Sequence, residues 1–468
     1  MNLTAVTQLH IQELKNLIGE NHVFDGEDIL KKYGSDHTED LCFPPAVLVK
    51  PKNTQEISLI MKFAFENSIP VTPIGALTGL SGGALSVMKG IGLSTERLNN
   101  IIEIDEKNLQ VTVEPAVITQ VLQNAVQEKG LFYAPDPASR GTCSIGGNLA
   151  ENSGGPRAVK YGVTKDFVLN LEVVLPDGNI IWTGANTLKN STGYNITQLM
   201  IGSEGTLGII TKAVLKLLPY PKENLLLMVP FFSAEKACEA VSAIFRAGIT
   251  PSAIEFMEKD AILWTLKFVD NPPNIVIKDE HQAHLLIEVD GNDINTLYSD
   301  CEKISSVLEQ FECDEILFAD SQAQKDALWF LRRRVGEAVK ANSVYKEEDT
   351  VVPRFELANL LSGVKKIGKK YGFQSVCYGH AGDGNLHINI IKGDLSDTVW
   401  NEQLPLGIRE IFELTVGLGG TLSGEHGIGY VQKHYMDIAF TSVELQLMKS
   451  IKNVFDPKGI MNPGKIFI

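Results

Sequence analysis

The sequence predicts an α+β protein built from two main domains, and three observations lead there. The chain has 468 residues, more than one hydrophobic core usually organises. Its first half alternates short Val/Ile runs with helical stretches and is dense in glycine. Residues 222–420 instead form strand–helix–strand units with few glycines. Between the two, Pro219-Tyr-Pro221 breaks the chain.

Taken in order, residues 1–39 read as an N-terminal helical arm, amphipathic over 1–18. Residues 40–220 form the first domain, with strands over 46–49, 109–113, 169–175 and 209–218 and helices over 54–67 and 119–129. Residues 221–420 form the second, with strands over 225–229 and 284–289 and helices over 234–247 and 322–340. Residues 421–468 return to glycine-rich loops and end in Asn462-Pro-Gly-Lys465. No repeat or low-complexity tract interrupts this order.

Composition narrows the class. Hydrophobic residues make up 44% and charged residues 21%, an ordinary globular mixture that excludes a largely disordered chain. No run approaches the roughly 18 apolar residues that span a bilayer. The opening lacks the basic start and apolar middle of a signal peptide, so a cytoplasmic protein is expected. With 42 basic against 57 acidic residues the net charge is −15, which argues against a broad basic face for nucleic acid and leaves room only for a local patch. An anionic substrate must therefore be held by a few placed Arg or Lys side chains. Six scattered cysteines without a C-x-x-C pair exclude a zinc ribbon or an iron–sulfur cluster of ordinary spacing, and read as buried thiols.

Two glycine-rich loops stand out. One runs from Pro73 to Ala84 directly after an apolar stretch; the other runs from Pro135 to Asn148 and continues through Asn152 to Gly155. Dense glycine lets backbone N–H groups approach an anion, and two such loops suit a pyrophosphate. Neither G-x-G-x-x-G nor G-x-x-x-x-G-K-[ST] occurs, so a Rossmann site and a P-loop have no support. A second kind of signal is His380-Ala-Gly-Asp-Gly-Asn-Leu-His387, in which a Gly-Asp-Gly turn between strand-like flanks lets two imidazoles approach. Gly424-Glu425-His426-Gly427 supplies a carboxylate and a third histidine. His380, His387 and Glu425 have the composition of a His₂Glu site, with His426 left as a base. Taken alone, each histidine reads more readily as a surface or internally bonded side chain than as a ligand. The run Leu331-Arg-Arg-Arg-Val335 is ordinarily a solvated face, but one arginine can turn inward to clasp a carboxylate.

With these motifs in hand, the chain resembles the FAD-linked 2-hydroxy acid dehydrogenases. This branch of the vanillyl-alcohol oxidase-like flavoproteins holds D-lactate dehydrogenase, the glycolate oxidase flavin subunit and D-2-hydroxyglutarate dehydrogenase. The resemblance runs from about residue 40 to 465 through Thr78–Gly83, Ser144–Asn148, Gly202–Thr206, Gly379–His387, Gly424–Gly427 and Asn462–Lys465. It implies a PCMH-type FAD-binding domain of two α+β subdomains over 40–220, and a cap with an antiparallel sheet and helices over 221–420. The segment 421–468 would return to the FAD domain.

The same resemblance assigns FAD contacts to Pro73, Gly75, Ala76, Leu77, Thr78, Gly79, Leu80, Ser81 and Gly82. In the second loop they fall on Pro135, Ser139, Gly141, Thr142, Ser144, Ile145, Gly146, Gly147, Asn148, Asn152 and Gly154. Further contacts fall on Tyr161, Gly162, Glu204, Gly205, Ile209, Ile210 and Asn462. It makes His380, His387 and Glu425 ligands of a divalent metal, zinc by preference. It makes His426 the catalytic base and places Arg332, Lys346 and Asn389, with His426, against the substrate. Relatives that tether the flavin do so through a histidine in the first loop; Pro73–Ala84 contains none, so non-covalent FAD is expected. Ile74 and Leu77 replace a polar residue and a glycine there. Gly336 replaces a hydroxyl residue of the hydroxyglutarate branch.

The implied reaction is oxidation of a small D-2-hydroxy acid, D-lactate or glycolate, to the 2-oxo acid. Electrons would leave to a separate acceptor: a quinone, a cytochrome, an iron–sulfur subunit or an electron-transfer flavoprotein. A homodimer is compatible with this reading. D-2-hydroxyglutarate oxidation, a metal-free flavin oxidase using oxygen, and a metal-dependent hydrolase are the competing readings.

Overall fold

The computed structural model describes residues 3–38 and 40–468. Met1, Asn2 and Glu39, at the ends of the expected arm, lie outside the described residues. The chain divides into two compact units. The first holds the described residues of Met1–Gly154, with Gly162–Tyr220 and Glu425–Ile468; the second holds Gly155–Tyr161 and Pro221–Gly424.

The first unit contains two main sheets. In one, Val47–Val49, Ile91–Ser94 and Val71–Ile74 run parallel, and Val23–Phe24 adds an antiparallel edge. Helix Thr54–Asn67 starts on the Asn53 side chain, which accepts from the Glu56 N–H, and lays Ile57, Ile60, Met61 and Ala64 on this sheet. The residues read as a separate arm do not stand apart. Helix Gln8–Ile18 buries Ile11, Leu14 and Ile18, spaced three and four apart, in that same core. The other sheet is antiparallel, in the order Ile101–Asp105, Gln110–Val113, Ile209–Lys216, Val168–Val174, Ile180–Trp182.

The second unit is one seven-stranded antiparallel sheet. Its order is Leu317–Ala319, Glu223–Phe231, Ala283–Gly291, Ala253–Glu258, Gln374–Gly379, Asn385–Ile391, Tyr345–Val351. Leu226, Leu286, Met257, Val376, Tyr378 and Tyr345 share one face. There they bury against Ala261 and Ile262 of helix Lys259–Phe268, Leu328 and Leu331 of helix Gln322–Arg333, and Val335 and Val339 of helix Val335–Asn342. The last two were expected as one helix; the chain instead breaks at Arg334, whose N–H is shared between the Phe330 and Leu331 carbonyls. The Gly-Asp-Gly hairpin turns at Gly384 with φ +76°, where a Cβ would collide with the Val352 carbonyl, so only glycine closes it.

Candidate active site

Sheet register assembles the site of the second unit. Phe256 pairs with Gly379, so the antiparallel ladder sets Glu255 across from His380. Tyr378 pairs with His387, and His387 with Asp349. Alternation then turns Glu255, Tyr378, His380, His387, Asn389, Glu347 and Asp349 to one face of four neighbouring strands.

The two histidines meet as expected, their rings edge to face with centroids 5.6 Å apart. His380 is buried, and its Nδ1 lies 2.9 Å from both carboxylate oxygens of Glu255. With Glu255 ionised, Nδ1 is the donor in that bond, and Nε2 is the ring nitrogen that Glu255 does not engage. His387 Nδ1 lies 3.5 Å from Glu347 and 3.6 Å from Asp349. Glu255 also receives Arg332, with Nη2 at 2.6 Å. Burial alone would raise the Glu255 carboxyl, but Arg332 and His380 outweigh it and hold the group below its usual range. The Arg332 contact lies off the N–H axis and Arg332 Nε has no hydrogen-bond partner, so the guanidinium keeps donor capacity. Its plane also lies 5.2 Å from the Tyr378 ring centre.

Asn389 is buried beside the Tyr378 hydroxyl, yet neither amide atom makes a well-formed hydrogen bond. The Tyr378 hydroxyl lies 3.3 Å from Glu347; burial first, and then that carboxylate, push it well above the ordinary tyrosine range. A Cβ added to Gly336 would lie 3.1 Å from this hydroxyl.

Lys346 departs from its expected role. It alternates with Glu347 along the strand, so its side chain leaves from the opposite face, where the ammonium lies 5.4 Å from the Trp400 ring centre. The site face carries Glu347 in its place. Arg333 lies over Trp329, and Arg334 pairs with Glu337 and lies over Phe268.

Asp349 is fully buried and accepts from Asn385 Nδ2 (2.7 Å), Ser423 Oγ (2.9 Å) and Gly424 N–H (2.8 Å). Glu425 and His426 follow Gly424 directly in the chain. Within the first unit, Glu204 accepts from the Ile428 N–H (2.8 Å) and Gly429 N–H (2.6 Å), bracing the turn just beyond His426. In the same unit a Cβ on Gly154 would lie 3.1 Å from Glu425 Oε2.

The first unit also brings its two glycine-rich loops together. A Cβ on Gly75 would lie 3.2 Å from Ser144 Oγ and 3.8 Å from the Gly147 nitrogen. Ser144 Oγ is buried there without a hydrogen bond, whereas Ser81 Oγ, likewise buried, lies by Gly83 and Gly429, near Glu151 and Glu204. Together with the open glycine backbone, the orphaned Ser144 hydroxyl fits a polar, anionic group. Leu77, standing where a glycine was expected, is held at φ +57°.

Three expected cofactor contacts are otherwise engaged. Asn462 Nδ2 donates to the Gly83 and Glu204 carbonyls, bracing both loops rather than offering a donor. Tyr161 sends its hydroxyl to both Asp290 oxygens at 2.9 Å. The Ile209 side chain is part of the hydrophobic core.

Sequence reasoning missed Glu255, Glu347, Asp349 and Tyr378. The available signals were a carboxylate inside the apolar strand Ala253–Glu258 and the acidic run Glu347-Glu348-Asp349 within a strand.

Comparisons with known proteins follow from both units. Residues 45–184 match the FAD binding domain family, and residues 220–466 match the family described as FAD linked oxidases, C-terminal domain. The glycolate oxidase subunit GlcD of Bacillus subtilis is 39% identical, covering 93% of this chain and 92% of its own. A D-lactate dehydrogenase of Anaerostipes hadrus is also 39% identical (90% and 89%), and a D-2-hydroxyglutarate dehydrogenase of Stutzerimonas stutzeri 32% (98% of each). Among solved structures, p-cresol methylhydroxylase superposes with a TM-score of 0.81 at 18% identity, covering 99% of this chain and 98% of its own; it shares the fold.

Proposed function

This chain belongs to the FAD-linked oxidase family and is an FAD-dependent oxidoreductase, and on that premise we propose that it oxidises a small D-2-hydroxy acid to the 2-oxo acid. The carrying observation is the convergence, on one sheet face, of His380, His387, Arg332 and the unsatisfied amide of Asn389. Relatives named for glycolate, D-lactate and D-2-hydroxyglutarate support the substrate class. FAD, bound without a covalent tether by the loops of the first unit, supplies the two-electron oxidant.

His380 and His387, joined by Glu425 from the turn that Asp349 anchors, would hold a divalent cation, zinc by preference. Such a cation lowers the pKa of a substrate hydroxyl. Arg332 binds the carboxylate through its unused donors. Asn389 orients the hydroxyl or carboxylate with an amide that is already desolvated. His426, on the braced turn, accepts the hydroxyl proton. Electrons then pass to a separate acceptor.

Charge favours a monocarboxylate, D-lactate or glycolate. A second carboxylate would meet Glu347 on the site face, while Lys346 lies against Trp400 and Arg334 pairs with Glu337. The test is the visible spectrum of the anaerobic protein on adding D- and L-2-hydroxy acids. Bleaching by D-lactate or glycolate is expected. No bleaching by any member of the panel would refute the proposal, and a tenfold kcat/KM preference for D-2-hydroxyglutarate would refute the monocarboxylate choice.

A further inference from the structure

We infer that Glu255 is a positioning residue that sets two groups at once, the metal-facing tautomer of His380 and the inward pose of Arg332. The inference rests on the metal and substrate reading above. Glu255 is 0% exposed and lies in the middle of the strand Ala253–Glu258, flanked by buried apolar residues. An ionised carboxylate in such a place costs several kcal/mol of lost hydration unless its partners are well placed, and an apolar side chain would serve packing better. It holds two cation-capable groups of the site: His380 Nδ1 at 2.9 Å from each oxygen, and Arg332 Nη2 at 2.6 Å.

The geometry makes the two tasks inseparable. His380 leaves the end of the strand Gln374–Gly379 directly across from Glu255, so the contact is built into the sheet register. Arg332 comes from a different element, the last turn of helix Gln322–Arg333. Backbone pairing places the histidine, but only the carboxylate reaches both. With its Nδ1 proton on Glu255, His380 presents Nε2 as a ligand and gains basicity from the anion behind it. Arg332, held by one corner of its guanidinium, keeps Nε uncommitted. One buried charge thus ties the metal ligand to the carboxylate-binding cation.

Glu255→Gln keeps the size and removes the charge. It is to be compared with the wild-type holo-flavoprotein in two measurements after chelator treatment: zinc titration against a chromophoric competitor, and steady-state kinetics with D-lactate or glycolate and an artificial acceptor. The expected result is zinc affinity lowered by about 10–100-fold and KM raised at least about tenfold, one interaction removed, with unchanged FAD stoichiometry. Zinc affinity and KM both within about twofold of wild type would overturn the proposal, as would loss of FAD and thermal stability with zinc affinity intact. Wild-type protein that takes up no zinc would refute the metal reading itself. Glu255 is then judged on Arg332 alone, standing if KM rises while kcat holds and falling if KM does not move. If Glu255→Gln is not recovered with FAD, Glu255→Asp, whose shorter reach cannot serve both partners, is scored by the same criteria.

Discussion

The two units build their sites by opposite means. In the first, the candidate cofactor site is built of backbone: glycine-rich loops brought within van der Waals reach, with the buried Ser144 hydroxyl as an orphaned polar atom. In the second, the candidate site is built of side chains on an antiparallel sheet, where register sets Glu255 against His380 and His387 against Asp349. A loop site needs residues that leave space, whereas a sheet site needs charges that satisfy one another in the dry interior. Substitutions should therefore fail differently in the two units.

The sharpest test of that contrast is His387→Ala. It should lose metal and lower turnover by at least about a hundredfold, ~2.7 kcal/mol of barrier, while FAD stays bound. Metal analysis and an absorbance spectrum of the purified variant check both halves. Full activity in a variant shown to be metal-free would end the metal role.

Next in size is an effect of pH on the second unit alone. His284 is 1% exposed, neither ring nitrogen has a hydrogen bond, and burial, helped by the neighbouring His281, depresses its pKa from 6.5 to about 3. The folded protein holds His284 neutral while the unfolded chain protonates it near pH 6.5. Stability is therefore fully present above that pH and declines as pH falls towards 3. The loss should reach about 2 kcal/mol at pH 5, and His284→Leu should remove that part of the acid sensitivity in urea unfolding curves. An unchanged acid limb in the variant would contradict the assignment.

Glu347→Gln probes charge on the sheet face. It should raise kcat/KM for D-2-hydroxyglutarate relative to D-lactate by about tenfold, ~1.4 kcal/mol. A ratio that does not move would show that Glu347 does not face the substrate.

The smallest effect belongs to the loops. Leu77→Gly relieves a left-handed leucine, which costs about 1–2 kcal/mol, at the expense of added unfolded-state freedom, about 0.5–1 kcal/mol. A net gain of no more than about 1 kcal/mol is expected in thermal unfolding. A large loss would mean that the Leu77 side chain holds the loop.

The same division explains what could be read from sequence. The α+β class and the two glycine-rich loops were legible, because Gly and Pro report backbone geometry locally; the antiparallel sheet of the second unit came only through the family resemblance. His380 and His387 were legible because seven residues and a Gly-Asp-Gly turn tie them together. Glu255 was not, since 125 residues separate it from His380 and only the strand register joins them. Lys346 was misread because a residue's face on a strand depends on parity, and the sequence does not mark where the strand's alternation begins. The break at Arg334 and the burial of helix Gln8–Ile18 in the first core are likewise tertiary facts.

The close approach of Gly336 to the Tyr378 hydroxyl bears on how the two positions tolerate substitution. A Cβ at 336 would sit 3.1 Å from an oxygen that is buried and already engaged with Glu347, so the neighbour must yield by a few tenths of an ångström. The two positions should therefore show epistasis. A hydroxyl-bearing residue introduced at 336 alone crowds Tyr378, and trimming Tyr378 alone opens a hole beside Arg332 and His387. A double substitution at 336 and 378 should therefore be better tolerated than the sum of the two single changes.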